Sequence, residues 1–263
     1  MQTALTIAGS DSGGGAGLQA DLKTFAAHGV YGLSAVTAVT AQNSLGVAAV
    51  LPMPAELVIR QIDAVISDFG AAATKIGMLA TADIVRAVAR AIDAHGLQNV
   101  VLDTVMIAKS GAALLDDDAI SVMRETLLPL ATVITPNIPE AERLTGRSIS
   151  SVADMRDVAR ALIAAGAKSV VIKGGHLDGP AVDVFDDGRT MTEIAAERVP
   201  GRHTHGTGCT FSSAIAARLA LGDALIVAIE GAKTYVTRAI ASAPKLGHGH
   251  GPLEHFPNEP MSQ

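Results

Sequence analysis

A cysteine opens an alanine-rich helical pattern, inside the run Thr204-His205-Gly206-Thr207-Gly208-Cys209-Thr210. The two glycines free the main chain to turn tightly. The amides of Gly206, Thr207, Gly208 and Cys209 can then converge at the positive end of a helix. Such a point stabilises negative charge by about 0.3–1 kcal/mol when exposed and up to about 2 kcal/mol when partly buried. Preorganised donors aimed at a transferring phosphoryl group gain more. The helix end would also lower the thiol pKa of Cys209 from its free value of about 8.5. A buried cysteine in a glycine-flanked helix start is the competing reading, and spacing alone weighs the two equally.

Three further groups could do related chemistry. Asn137 and Glu140 lie three apart at a helix start in Thr135-Pro136-Asn137-Ile138-Pro139-Glu140. Both side chains can face one point, where a hard cation such as Mg²⁺ takes oxygen ligands; ordinary helix capping is the plainer reading. Lys173 ends an apolar strand, where a phosphate would be a natural partner, although a lysine there can also reach out to water. The loop Gly9-Ser10-Asp11-Ser12-Gly13-Gly14-Gly15-Ala16-Gly17 leads into a helix and can cradle an anion or serve as a flexible turn. It is not a dinucleotide fingerprint, because positions 18 and 20 are Leu and Ala, and no Gly-Lys followed by Ser or Thr forms a P-loop. His248, His250 and His255 lack a regular element to fix them, which argues against a zinc site.

These residues need a scaffold, and apolar runs alternating with helical patterns supply one. The spacing predicts strands at 5–8, 34–40, 47–51, 74–76, 99–103, 132–135 and 169–173, with a hairpin over 182–194 turning at Asp186-Asp187-Gly188. Helices are expected at 18–28, 55–68, 82–94, 116–128, from Asn137, and at 152–165, 208–221 and 223–242. Such alternation implies an α/β fold with a mostly parallel sheet covered on both faces. Ligands then bind beyond the carboxyl ends of the strands. The polar clusters at 10–17, Gly77, Asp103, 135–140 and 173–176 all fall there. No repeat, charge block or linker divides residues 1–263, so one domain is expected.

Composition narrows the partners. Hydrophobic residues make up 49% of the 263 and charged residues 17%, which argues against disorder. Aromatics are only 3%, so the core is built from Ala, Val, Ile and Leu. A net charge of −6 gives no footprint for nucleic acid or an anionic membrane. No apolar stretch reaches the ~18–20 residues that span a bilayer, and residues 1–8 do not resemble a signal peptide. One cysteine excludes an intrachain disulfide framework, and a cytoplasmic protein is expected.

Taken in order, the segments resemble the hydroxymethylpyrimidine/phosphomethylpyrimidine kinases of the ribokinase superfamily. The resemblance is carried by 8–24, Thr40-Ala41-Gln42-Asn43-Ser44, Lys75-Ile76-Gly77-Met78-Leu79, 103–111, 135–140, Lys173-Gly174-Gly175-His176, 204–210 and 247–253. It implies a three-layer α/β/α sandwich, ATP as donor, Mg²⁺, and two successive phosphorylations of an aminopyrimidine in thiamin biosynthesis. It also implies roles. Gln42 would read the amino edge of the pyrimidine, since a carboxamide offers a donor beside an acceptor. Met78 and Val105 would be apolar walls, with Gly9, Ala16 and Asp21 near the substrate. Glu140 and Asp103 would hold the metal. Asn137, Lys173, Thr207 and Gly208 would contact nucleotide and phosphate, and the amides of 206–209 would form the anion hole. The hairpin over 182–194 would lie near the nucleotide. Relatives are often homodimers.

Cys209 occupies the position where many ribokinase relatives carry an Asp as general base, and the pyrimidine kinases carry Cys. Thr104 departs from the expected Pro after Asp103, and a looser local loop is expected because Thr does not fix φ. A pyridoxal or pyridoxine kinase of the same fold is the nearest alternative, and a non-catalytic binder of a thiamin precursor is the other.

Overall fold

The computed structural model describes residues 1–107, 111 and 114–257. Ala108, Lys109 and Ser110, part of the 103–111 motif, lie outside the described residues, as do 112–113 and 258–263.

Among the described residues the chain runs β1 (Thr3–Ala8), α1 (Gly17–Ala27), β2 (Tyr31–Val36), β3 (Ala38–Gln42), β4 (Val47–Pro52), α2 (Ala55–Asp68), β5 (Ala73–Ile76), α3 (Ala82–His95) and β6 (Val100–Leu102). It continues α4 (Asp117–Thr126), β7 (Val133–Ile134), α5 (Ile138–Thr145), α6 (Val152–Ala164), β8 (Val170–Ile172), β9 (Ala181–Asp186), β10 (Met191–Ala196), α7 (Thr207–Ala220) and α8 (Leu225–Ala241). One eight-stranded sheet has the order β10-β9-β8-β7-β6-β5-β1-β2. From β8 to β2 the pairings are parallel; β9 and β10 join antiparallel.

Alternation along the strands divides the core. Leu5 and Ile7 of β1, Val100 and Leu102 of β6, and Val170 and Ile172 of β8 face a layer that includes Val58, Ile84, Met155 and Leu162 of the helices. Ala4, Val101 and Val171 face the other way, toward Phe25 of α1 and the alanine-rich α7 and α8. This period of two, with apolar residues at every step, is what a parallel sheet buried on both faces requires. It also explains why alanine dominates α7: small side chains let the helix approach the sheet closely.

The expected single strand over 34–40 is divided. It breaks at Thr37, whose hydroxyl donates to the Met78 carbonyl at 2.5 Å while its amide donates to Ala8 at 3.0 Å. β2 stays in the main sheet, and β3 leaves it to pair antiparallel with β4. An apolar run could not reveal the break, because each part remains strand-like. β4 is exposed along most of its length, as its position before Pro52 suggested.

Candidate active site

Register aligns the strand ends. Ile7 pairs with Ile76, Ile76 with Leu102, and Leu102 with Ile134. The next amides continue the ladder: Gly77 donates to Ile7, Asp103 to Ile76, Thr135 to Leu102, and Lys173 to Pro136, at 2.8–2.9 Å. Gly77, Asp103, Thr135 and Lys173 therefore stand along one carboxyl edge.

Lys173 Nζ donates to Asp103 Oδ1 at 3.0 Å, with Thr135 Oγ1 at 3.4 Å from the same oxygen. A Cβ added to Gly208 would lie 3.3 Å from Lys173 Nζ and 3.7–3.8 Å from the Asp103 carboxylate. The start of α7 thus rests directly on the pair, an approach that a larger residue would obstruct. Burial alone would lower the Lys173 pKa, but Asp103 and Glu140 override it and hold the ammonium above its ordinary value. Burial pushes Asp103 upward, and Lys173 and Lys75 reverse that. Both groups are charged at neutral pH.

Asn137 and Glu140 form a reciprocal cap on α5. Glu140 N donates to Asn137 Oδ1 at 3.0 Å, and Asn137 N donates to Glu140 Oε2 at 2.9 Å. The capping reading is met, but Glu140 does more than cap. It is buried, and that desolvation, helped by Asp103, pushes its pKa up to about 7 against the opposing pull of Lys173. Thr104 Oγ1 donates to the same Oε2 at 3.1 Å from a fully buried side chain. The expected looser loop is therefore corrected: this threonine is tied to Glu140 by its hydroxyl, a restraint that proline lacks.

The turn before α7 is shaped by Gly206, at φ 83°, where a Cβ would overlap the Gly15 carbonyl. The helix entrance is thereby pressed against the glycine-rich loop. Of the amides expected to converge, Thr207 N donates back to Thr204 O at 3.4 Å. Gly208 and Cys209 lie in the first turn, which has no intrahelical acceptor for them. The expected lowering of the Cys209 pKa is overturned. Cys209 retains some surface but is densely enclosed, and desolvation pushes its thiol up to about 12. Lys75 and a hydrogen bond from Gly17 oppose the rise; Asp103 and Asp21 add to it. A helix end is worth at most about 2 kcal/mol, which dehydration of a thiolate exceeds.

Asp21, on α1, reaches β1, β5 and α7. Its fully buried carboxylate accepts from Thr6 Oγ1 at 2.7 Å, Lys75 Nζ at 2.8 Å and Ser213 Oγ at 2.6 Å. Lys75, assigned no role by the sequence, is equally buried. Burial alone would lower its pKa, but Asp21, with Cys209 and Asp103, keeps it above the ordinary lysine range. Its ammonium lies under Gly77, where a Cβ would come within 2.6 Å of it.

The remaining expected residues gather around the glycine loop and β3. Gly9 is packed so that a Cβ would meet Met78 Sδ at 3.1 Å, and Met78 clusters with Ala38, Ala80, Val105 and Leu114. Ala16 N donates to Asp11 Oδ2 at 2.8 Å, as do Gly15 N at 3.0 Å and His205 Nε2 at 2.9 Å; Gly13 N donates to Oδ1 at 2.8 Å. Asp11 thus organises the loop, and His205 holds its carboxyl below the usual range against the upward push of burial. Gln42 and the β3–β4 turn line a shallow cleft of about 550 Å³ with Ser12, Asn43, Leu45 and Val47; Cys209 does not line it. The hairpin of β9 and β10 is linked to the Lys173 turn, since Asp183 accepts from Gly174 N at 2.9 Å and from Lys233 Nζ at 2.7 Å. The tail crosses the α7 entrance: His205 N donates to Gly251 O at 3.1 Å, and Tyr235 Oη donates to His255 O at 2.6 Å.

A profile of the family described as phosphomethylpyrimidine kinase matches residues 11–254. This chain belongs to that family. A hydroxymethylpyrimidine/phosphomethylpyrimidine kinase of Bacillus subtilis (strain 168) is 50% identical to this phosphomethylpyrimidine kinase family member over 255 residues, covering 96% of this chain and 94% of that protein. The crystal structure of a phosphomethylpyrimidine kinase from Clostridium difficile 630 superposes with a TM-score of 0.82 at 44% identity, over 91% of this chain and 100% of that one. An ADP complex of Bacillus subtilis pyridoxal kinase superposes with a TM-score of 0.91 at 43% identity, over 97% of each chain. The fold is ribokinase-like, and the chain is a phosphotransferase. No helix among the described residues is long and apolar enough to cross a membrane.

Proposed function

We propose that the chain transfers the γ-phosphoryl group of ATP to 4-amino-5-hydroxymethyl-2-methylpyrimidine and then phosphorylates the monophosphate to the diphosphate, for thiamin biosynthesis. The observation that carries the reading is the meeting of Lys173, Asp103 and the Gly208 entrance of α7 at the carboxyl edge of the sheet. There a fixed cation and unspent amides face the position of a transferring phosphoryl group. Little covalent chemistry is asked of the protein in such a transfer; positioning and charge neutralisation supply the rate.

Gln42 would receive the amino edge of the ring, with Met78 and Val105 against its apolar faces. In the first transfer the hydroxymethyl group must lose a proton, and Cys209 is the group assigned to receive it. Because its thiol is protonated at rest, Cys209 can act only after its own proton has passed to solvent; the thiolate would then take the hydroxyl proton as the substrate oxygen bonds phosphorus, restoring the thiol. In the second transfer the phosphate nucleophile is already ionised and needs no base.

Asp103 and Glu140 fit Mg²⁺: Asp103 Oδ2 is buried without a hydrogen-bond partner among the described residues, and Glu140 lies close enough to feel its charge. Mg²⁺ commonly takes one or two carboxylates and completes its shell with water and phosphate, and it would neutralise charge on the nucleotide phosphates. Exposed Val39, Val50 and Leu51 on the two-stranded sheet favour a homodimer.

The test is to incubate the protein with the aminopyrimidine alcohol, ATP and Mg²⁺ and follow products by mass. Two ADP per alcohol and a diphosphate product are expected; ADP formation only with pyridoxal would transfer the assignment to pyridoxal kinase, the second reading that the 0.91 superposition favours.

A further inference from the structure

The Gln42 carboxamide lies between two groups whose hydrogen-bonding roles are already determined. On one side, Thr40 Oγ1 is 2.8 Å from the Ser10 carbonyl and 3.3 Å from Gln42 Oε1. A hydroxyl has one proton, and a carbonyl can only accept, so that proton belongs to Ser10 and Thr40 presents a lone pair to Gln42. On the other side, His205 Nε2 is 2.9 Å from Asp11 Oδ2 and 3.3 Å from Gln42 Nε2. An ionised carboxylate can only accept, so Nε2 carries a proton aimed at Asp11 and has no lone pair left to receive an N–H of Gln42.

Both neighbours demand the same orientation. The structure turns Oε1 toward Thr40 and Nε2 toward His205, and both neighbours favour the half-turned state, with the NH₂ facing Thr40 and the oxygen facing His205. A half-turn of the carboxamide interchanges the two atoms without moving the side chain, and hydrogen-bond chemistry alone selects between them. In the selected state each atom keeps capacity for a ligand: a second N–H on the nitrogen and a second lone pair on the oxygen.

We infer that His205 is a specificity-determining positioning residue, which fixes the polarity of the Gln42 carboxamide through its hydrogen bond to Asp11. The inference rests on the proposed aminopyrimidine substrate. The fixed polarity sets how the ring must lie: its exocyclic amino group donates to the oxygen on the His205 side, and the neighbouring ring nitrogen accepts from the NH₂ on the Thr40 side. Because His205 immediately precedes Gly206, the same residue joins recognition of the ring to the entrance of α7. His205 is itself braced on the other side, where its ring lies against Gly15 and its backbone amide bonds Gly251.

The experiment compares kcat/KM for the aminopyrimidine alcohol with kcat/KM for the same alcohol lacking the amino group. In His205→Phe the ratio of the two should fall about tenfold, the value of one oriented hydrogen bond. His205→Gln, whose amide can reach Asp11 from the position of Nε2, should retain at least half of the wild-type ratio, while the shorter His205→Asn should not. Gln42→Leu should lower the ratio in the wild-type background and add nothing in His205→Phe. A ratio unchanged in His205→Phe, with both alcohols losing equally, would make the histidine merely structural and overturn the inference. If His205→Phe fails to fold, judged by its circular dichroism, the Gln and Asn variants make the same comparison, and equal ratios in those two would overturn it. Failure of the wild-type protein to phosphorylate the amino alcohol at all would instead count against the substrate reading.

Discussion

Lys173 and Asp103 stand 3.0 Å apart across the end of β7, with the carboxylate enclosed and the ammonium nearly so. One oxygen of Asp103 is occupied by this contact and the other has no partner among the described residues. The pair therefore presents a fixed cation beside an unsatisfied anion, which suits a site that must bind phosphate and metal together.

Lys173→Met should slow both phosphoryl transfers, because each moves the same charged group. A loss of about 10²–10³-fold in kcat is expected from removing one preorganised donor. The variant should also lose about 3–5 kcal/mol of stability, since Asp103 is left charged and unpaired. Single-turnover rates with the alcohol and with its monophosphate, together with urea unfolding, measure both effects. Either transfer proceeding at the wild-type rate removes Lys173 from the mechanism.

Cys209→Ala should separate the two transfers. Loss of a base slows the first by about 10²–10⁴-fold and leaves the second nearly intact. Equal losses would reduce Cys209 to a packing residue. With its thiol pushed up to about 12, alkylation by iodoacetamide at pH 8 should run roughly 10³-fold slower than for a free cysteine. A plateau in that rate below pH 10 contradicts the desolvation argument.

Glu140 supplies a pH dependence. Its folded pKa of about 7 lies above that of an unfolded glutamate, so over this interval the folded state holds the proton that the unfolded state has released. Its contribution to stability is present in acid and is lost as pH rises through about 7. Unfolding free energies of wild type minus Glu140→Gln should therefore decline between pH 4.5 and 7 and then flatten. In the same interval apparent Mg²⁺ affinity should rise with pH, because the metal needs the carboxylate ionised. A pH-independent affinity would remove Glu140 from the metal site.

Lys75→Met should destabilise the fold by about 3–5 kcal/mol by leaving Asp21 uncompensated. Adding Asp21→Asn should recover part of that loss, since the neutral amide no longer needs a cation. Additive losses in thermal unfolding would contradict the pairing.

Strand ends were legible because buried apolar runs stop at polar residues, and that pattern alone located Asp103, Lys173 and the Asn137–Glu140 cap at one edge. The family resemblance named Gln42, Met78 and Val105, and the structure gathers them on the glycine-loop side. Local patterns could not show the division at Thr37, which depends on a hydroxyl reaching Met78 from 41 positions away. They could not show Asp11 joined to His205 across 194 positions, nor Lys75 joined to Asp21 across 54. Lys75 carried one faint sign: a lysine inside an otherwise apolar strand must find an anion. Cys209 departs from its expectation through magnitude: the field of a helix end is smaller than the cost of dehydrating a thiolate.

The strap from Gly251 to His255 has a consequence for chain truncation. It is among the last described segments of the chain, yet it braces His205 and, through Tyr235, the far end of the helical hairpin. A chain truncated near residue 245 would contain every residue assigned to phosphoryl transfer and still lack the strap that braces His205 and Tyr235. Such a truncated chain, once released, should keep its sheet and lose activity.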